Sequence, residues 1–144
     1  MSPRLLRRCA ACVATVALVL TATACGRHVD ASGVRVVKVT ERDFAIKAPH
    51  LLRAGTIRFV VTNDGPVSHE LILVHAPHGR LPLRDDGFTV DETLLESRIV
   101  GTLEPAGPGT TRSLRVRLTP GRYILLCNMA GHFMGGMSSR LLVR

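Results

Sequence analysis

Cys127, His132 and Met137 stand five residues apart in the stretch LLCNMAGHFMGGM, residues 125–137, and Met129 and Met134 fall in the same window. A thiolate, an imidazole and a thioether are soft or borderline donors. Such a set selects copper, because two His and one Cys in a trigonal plane with a long axial Met make a type 1 site. Gly131, Gly135 and Gly136 allow the loop to turn tightly enough for its side chains to converge on one ion. The second imidazole must come from elsewhere. His69 in NDGPVSHELILV fits, since it begins an apolar run directly after a tight turn. Met134 rivals Met137 for the axial position. Zinc would not be expected to recruit a thioether.

Other readings of these residues are weaker. A buried Cys in a β core is commonly inert, and Met129 and Met134 could serve as packing alone. Cys127 with His132 could be a nucleophile and its base, but nothing supplies an orienting third group, and the chain reads as a non-enzyme. His75 and His78 flank Pro77 in a polar loop and make a poor second metal site. His28 and His50 are expected to face solvent.

The elements that must position these residues are short apolar segments separated by turn residues. Candidate strands cover residues 34–40, 44–46, 56–63, 69–75, 98–103, 110–118, 122–127 and 139–144. Leu114, Val116 and Leu118 alternate with Arg115 and Arg117, the pattern of a strand with one wet side. Punctuation is dense, as in Asn63-Asp64-Gly65-Pro66 and Pro120-Gly121. Only residues 91–97 could hold a short helix. Strands at this spacing without long helices predict an all-β, antiparallel sandwich of about seven or eight strands.

The start of the chain belongs to export rather than to this domain. Arg4, Arg7 and Arg8 precede the uncharged run AACVATVALVLTATA, residues 10–24, which ends in small residues. That is the layout of a signal peptide, and it is shorter than the ~20 apolar residues of a membrane span. Cys25 follows directly, as in the lipobox of bacterial lipoproteins, although Ala22 stands where that pattern prefers Leu. Two processing outcomes are open: acylation of Cys25, or a freely secreted chain cut after Ala22-Thr23-Ala24. The division is therefore signal 1–24, tether 25–33 and domain 34–144. The expected location is the outer face of the cytoplasmic membrane or the cell envelope by a lipid anchor, and otherwise the outside medium.

Of 144 residues, 19 are basic and 11 acidic; without residues 1–24 the basic count drops to 16, a net charge of +5. Nucleic acid is a poor partner for such a chain, with no basic run and only 3% aromatic residues. Cys127 is then the one cysteine besides Cys25, so acylation of Cys25 would leave it unpaired in a compartment that permits disulfides.

Taken together, His69 upstream, the C-x4-H-x4-M loop and the preceding TPGRYILLC resemble the cupredoxins, and the loop length is most similar to the rusticyanin and sulfocyanin group. The resemblance covers most of residues 34–144. It implies a Greek-key β-sandwich with one mononuclear Cu(I)/Cu(II) site, His69, Cys127 and His132 as strong ligands and Met137 axial. It also implies a monomeric single-electron carrier with a redox protein as donor or acceptor. Around His132, the residues Pro66, Val67, Phe133, Met134, Gly135 and Gly136 are expected to form an apolar docking patch for that partner. Copper storage, delivery or resistance with the same ligands is the alternative. One departure concerns Glu70, which stands where several cupredoxins have an Asn that ties two ligand loops together.

Overall fold

The computed structural model describes Val29 and residues 33–144, so Cys25 and the signal segment lie outside the described residues. The strands are β1 (Arg35–Arg42), β2 (Ala45–Lys47), β3 (Leu51–Leu52), β4 (Gly55–Asn63), β5 (His69–His75), β6 (Ile99–Ala106), β7 (Thr111–Leu118), β8 (Gly121–Leu126) and β9 (Ser138–Val143). A single helical turn, α1 (Glu92–Leu95), and a 3-10 turn (Glu96–Arg98) occupy the segment expected to be helical. Asp91 caps α1 by accepting from the backbone N–H of Leu94. Among the described residues no helix is long and apolar enough to cross a membrane.

Two sheets face each other, one ordered β2-β1-β4-β7 and the other β3-β9-β8-β5-β6. The expectation of a purely antiparallel sandwich is corrected, because β1 pairs parallel with β4 and β3 parallel with β9. The chain leaves the first sheet after β2, adds β3 to the second, and returns for β4 in the direction of β1. The two-residue β3 has too few side chains to show a period, which is why the sequence did not reveal it.

Alternation explains the core. Val37 and Val39 of β1, Ile57, Phe59 and Val61 of β4, Leu71 and Leu73 of β5 and Leu125 of β8 point between the sheets and pack as one cluster. The run ELILV in β5 is buried on both faces. Its Ile72 and Val74, with Ile124 and Leu126 of β8, form a second cluster beneath Val90 and Leu95 of the helical excursion. A strand covered on both sides reads as a continuous apolar run. Aliphatic side chains do most of the filling, and Phe59 and Tyr123 are the only aromatic residues in the first cluster. The Tyr123 hydroxyl donates to the Thr119 carbonyl at 2.9 Å, so its one polar atom is satisfied.

Strand order alone assembles one pole of the molecule. β9, β8 and β5 are neighbours, and their register sets the start of β5, the end of β8 and the start of β9 side by side. Those ends carry His69, Cys127 and Met137.

Candidate metal centre

His69, Cys127 and His132 each offer a donor atom, and these atoms lie within 4.8 Å of one another. Among the described residues no other group of three such side chains comes together. Nδ1 of His69 is 3.3 Å from Nδ1 of His132, and Cys127 Sγ is 3.4 Å from that same nitrogen. His69, Cys127 and Met137 are fully buried, and His132 is half-buried. Met137 is carried into the pole by backbone bonds, its carbonyl accepting from the Cys127 N–H at 3.1 Å and its N–H donating to the His132 carbonyl at 2.9 Å. The rival Met134 is 52% exposed. His75 instead packs its ring on Tyr123, and the exposed His50 sets Nδ1 3.2 Å from the Arg140 carbonyl.

Two residues that sequence reasoning missed complete the pole. The β1–β2 turn, Asp43-Phe44, reaches over from the opposite sheet. Asp43 Oδ1 lies 3.1 Å from Nε2 of His69. Holding the proton on Nε2 leaves Nδ1 as a lone pair aimed at His132 and Cys127. Phe44 packs edge-on to the His132 ring, with centroids 5.8 Å apart. Its φ of 60° is the left-handed region, uncommon for a bulky residue. No local signal marks this turn, because along the chain Phe44 reads as the start of a strand over residues 44–46. The indirect trace was glycine. A Cβ at Gly65 would come within 2.8 Å of His69 Nε2, and one at Gly135 within 2.2 Å of the Phe44 ring.

Side-chain amides fasten the loops. The buried Asn63 donates to the carbonyls of Val67 and Ala106 at 2.8 and 2.9 Å and accepts from the Gly65 N–H at 2.9 Å, fixing the turn before His69. Glu70 accepts from the Asn128 N–H at 3.0 Å, so the carboxylate itself ties β5 to the residue after Cys127. The Asn128 side chain then binds both backbone groups of Val90, at 2.6 and 2.9 Å, and Glu92 at 2.7 Å.

Electrostatics favour neutral ligands awaiting a cation. Burial, with the neighbouring His132 adding to it, pushes His69 below the usual imidazole range. Burial likewise pushes the Cys127 thiol up. Neutral imidazole is the ligating form, and a buried thiol ionises when a metal compensates its charge. Two imidazole nitrogens and a thiol converging beside a buried thioether fit a soft, positively charged occupant. The donor set is that of a mononuclear copper site.

Of the residues expected to form a docking patch, Pro66, Val67, Met134, Gly135 and Gly136 are exposed at this pole. Phe133 is half-buried and packs against the second core cluster.

No protein-family model matches the sequence, and no curated protein matches it. Solved structures do. A dithionite-reduced auracyanin from the photosynthetic bacterium Roseiflexus castenholzii is similar with a TM-score of 0.57 and 17% identity, over 76% of this chain and 96% of that one. Auracyanin A, a "blue" copper protein from the green thermophilic photosynthetic bacterium Chloroflexus aurantiacus, gives 0.57 and 19%, over 76% and 98%. Reduced rusticyanin gives 0.55 and 15%, over 76% and 79%. All are cupredoxins. Sheet order, the polar cluster and these likenesses agree: the chain has the cupredoxin fold.

Proposed function

We propose that the protein is an exported single-electron carrier holding one copper ion through His69, Cys127, His132 and Met137. The observation that carries this is the convergence of two imidazole nitrogens and a buried thiol at one pole, with a buried thioether alongside. Copper there would supply one-electron cycling between Cu(II) and Cu(I). The chain's part is to hold the ligand set still. Asp43 fixes His69, Glu70 and Asn128 fix the Cys127 loop, and Phe44 steadies His132. A site that is pre-organised by packing and hydrogen bonds on every ligand rearranges little when its charge changes. His132, half-buried among exposed Phe44, Val67 and Met134, is the route to a redox partner. Cys25 is proposed as an acylated N-terminus that keeps the domain at the membrane.

Optical and EPR spectra of the copper-loaded protein, with voltammetry, test the reading. An intense thiolate-to-Cu(II) band and reversible one-electron redox are expected. Copper storage or delivery is the second reading, favoured by the exposed thioether of Met134. In that case the loaded protein would be colourless, hold Cu(I) and give the metal up readily to an acceptor.

Three substitutions probe individual roles. Asp43→Asn keeps the shape of the side chain but removes its charge, so His69 becomes a weaker base. Copper affinity should fall about 10–100-fold, the usual cost of losing such a support, and the midpoint potential should rise because Cu(II) loses more than Cu(I). An unchanged potential would show that Asp43 does not act on the site. Met137→Leu should also raise the potential, since Cu(I) tolerates the lower coordination number better, whereas Met134→Leu should leave potential and spectrum unaltered. The reverse result would make Met134 the axial residue.

A further inference from the structure

The charged side chains on the outward face of the β2-β1-β4-β7 sheet are all basic. The four strands of the β2-β1-β4-β7 sheet contain one carboxylate, Glu41, and it points inward to Arg112. Outward positions of the same strands carry Lys38, Lys47, Arg115 and Arg117, all exposed. Register sets Lys47 beside Thr40, Lys38 in line with Val60 and Ser113, Arg115 beside Arg58, and Arg117 beside Thr56. On the far side charges are mixed: Asp85, Asp86, Asp91, Glu92 and Glu96 stand with Arg84 and Arg98 in the segment containing the helical turn, and the other sheet exposes Arg122 and Arg140. Like charges sharing one sheet face repel. An anionic partner spread over that face would offset the repulsion.

We infer that this basic sheet face lies on anionic lipid headgroups. The choice of lipid rests on the proposed acylation of Cys25. Val29 bridges to Arg35, at the start of β1 in this sheet. Cys25 precedes Val29 by four residues, a reach of at most about 14 Å. An anchored domain on so short a lead cannot stand clear of the headgroups, whose field extends about 8 Å at physiological salt. Each Lys or Arg brought to such a surface favours binding. With β1 lying along the membrane, the pole beyond Arg42 faces sideways. His132 would then be presented to partners held in the same membrane.

The test uses the chain beginning at residue 25 with Cys25→Ser, which keeps every described strand and cannot be acylated. It is sedimented with vesicles of phosphatidylcholine alone or with about one third phosphatidylglycerol, which supplies the anionic surface. Binding is expected to the anionic vesicles only, and to disappear as salt is raised. The triple variant Lys38→Gln/Arg115→Gln/Arg117→Gln should partition about a hundredfold more weakly with an unchanged urea midpoint. Absence of binding to the anionic vesicles, or equal binding by the triple variant, overturns the inference. Retention on heparin without vesicle binding also overturns it, in favour of a soluble polyanion. The acylation itself is read separately, from the mass of the N-terminal peptide of the full chain; its absence would refute the anchor without touching the vesicle result.

Discussion

Cys127→Ser is expected to abolish the intense visible absorption of the copper-loaded protein while leaving the sandwich folded. The side chain is fully buried at the end of β8, and its Sγ is 3.4 Å from His132 Nδ1. Serine is close to it in volume, so the surrounding Leu125, Met137 and Leu71 need not repack. The chemistry changes completely. A hydroxyl is a hard donor that does not ionise in this pocket, whereas a thiolate both binds copper tightly and donates charge to it. Copper affinity should drop by orders of magnitude, and any residual Cu(II) should give the weak spectrum of nitrogen and oxygen ligands. The urea midpoint of the metal-free variant controls for folding. A retained strong band would mean that Cys127 is not a ligand, and the proposed site would fall with it.

Arg112→Met is expected to be the most damaging change to stability. Glu41 is fully buried beneath the metal-centre pole, and Arg112 binds it while also donating to the Glu104 carbonyl. Among the described residues Glu41 Oε1 has no partner of its own. Burial pushes the Glu41 carboxyl up to about 7, against the opposing pull of Arg112. Removing the guanidinium leaves that carboxyl uncompensated, at a cost of about 3–5 kcal/mol.

The sign of the pH dependence follows from the same shift. A carboxyl whose folded pKa is raised holds a proton that the unfolded chain has already released, so stability falls as pH rises between the unfolded value of 4.5 and about 7. The wild type should show this slope. Arg112→Met should steepen it and extend it upward, giving a variant that tolerates far less urea at pH 8 than at pH 5. Urea midpoints at both values check this, and the double variant Glu41→Gln/Arg112→Met should flatten the slope. A single variant within about 1 kcal/mol of wild type at pH 8 would show that the pair carries no such load.

Glu70 departs from a family pattern in residue type and still links two loops. By its resemblance to the cupredoxins, the chain has Glu70 where several of them have an Asn that ties two ligand loops together. The structure shows the carboxylate making an equivalent link to the Asn128 N–H. Burial raises the Glu70 pKa, with the hydrogen bond from Asn128 opposing the shift. Asn128 passes the constraint on to Val90 and Glu92. The excursion that covers β5 is therefore fastened to the ligand loop by side chains whose roles no local pattern announces.

The scarcity of aromatic residues also finds a physical account. Two sheets can be filled by alternating Val, Ile and Leu, so the first cluster needs only Phe59 and Tyr123, and Phe133 packs against the second. Phe44 is spent at the surface, 53% exposed beside His132.

The sequence by itself determined the type of fold and singled out the side chains that converge at one pole. Period-two alternation and dense turn residues specify strands locally, and Cys127, His132 and Met137 sit in one short loop where their spacing is visible. Tertiary structure decided how those residues are used. It made two strand pairings parallel, chose the buried Met137 over the exposed Met134 for the interior of the pole, and brought Asp43 to His69 from 26 residues away. The physical reason is that pairing partners, hydrogen bonds across loops and the summed charge of a sheet face depend on which distant segments become neighbours. Spacing along the chain carries no record of that.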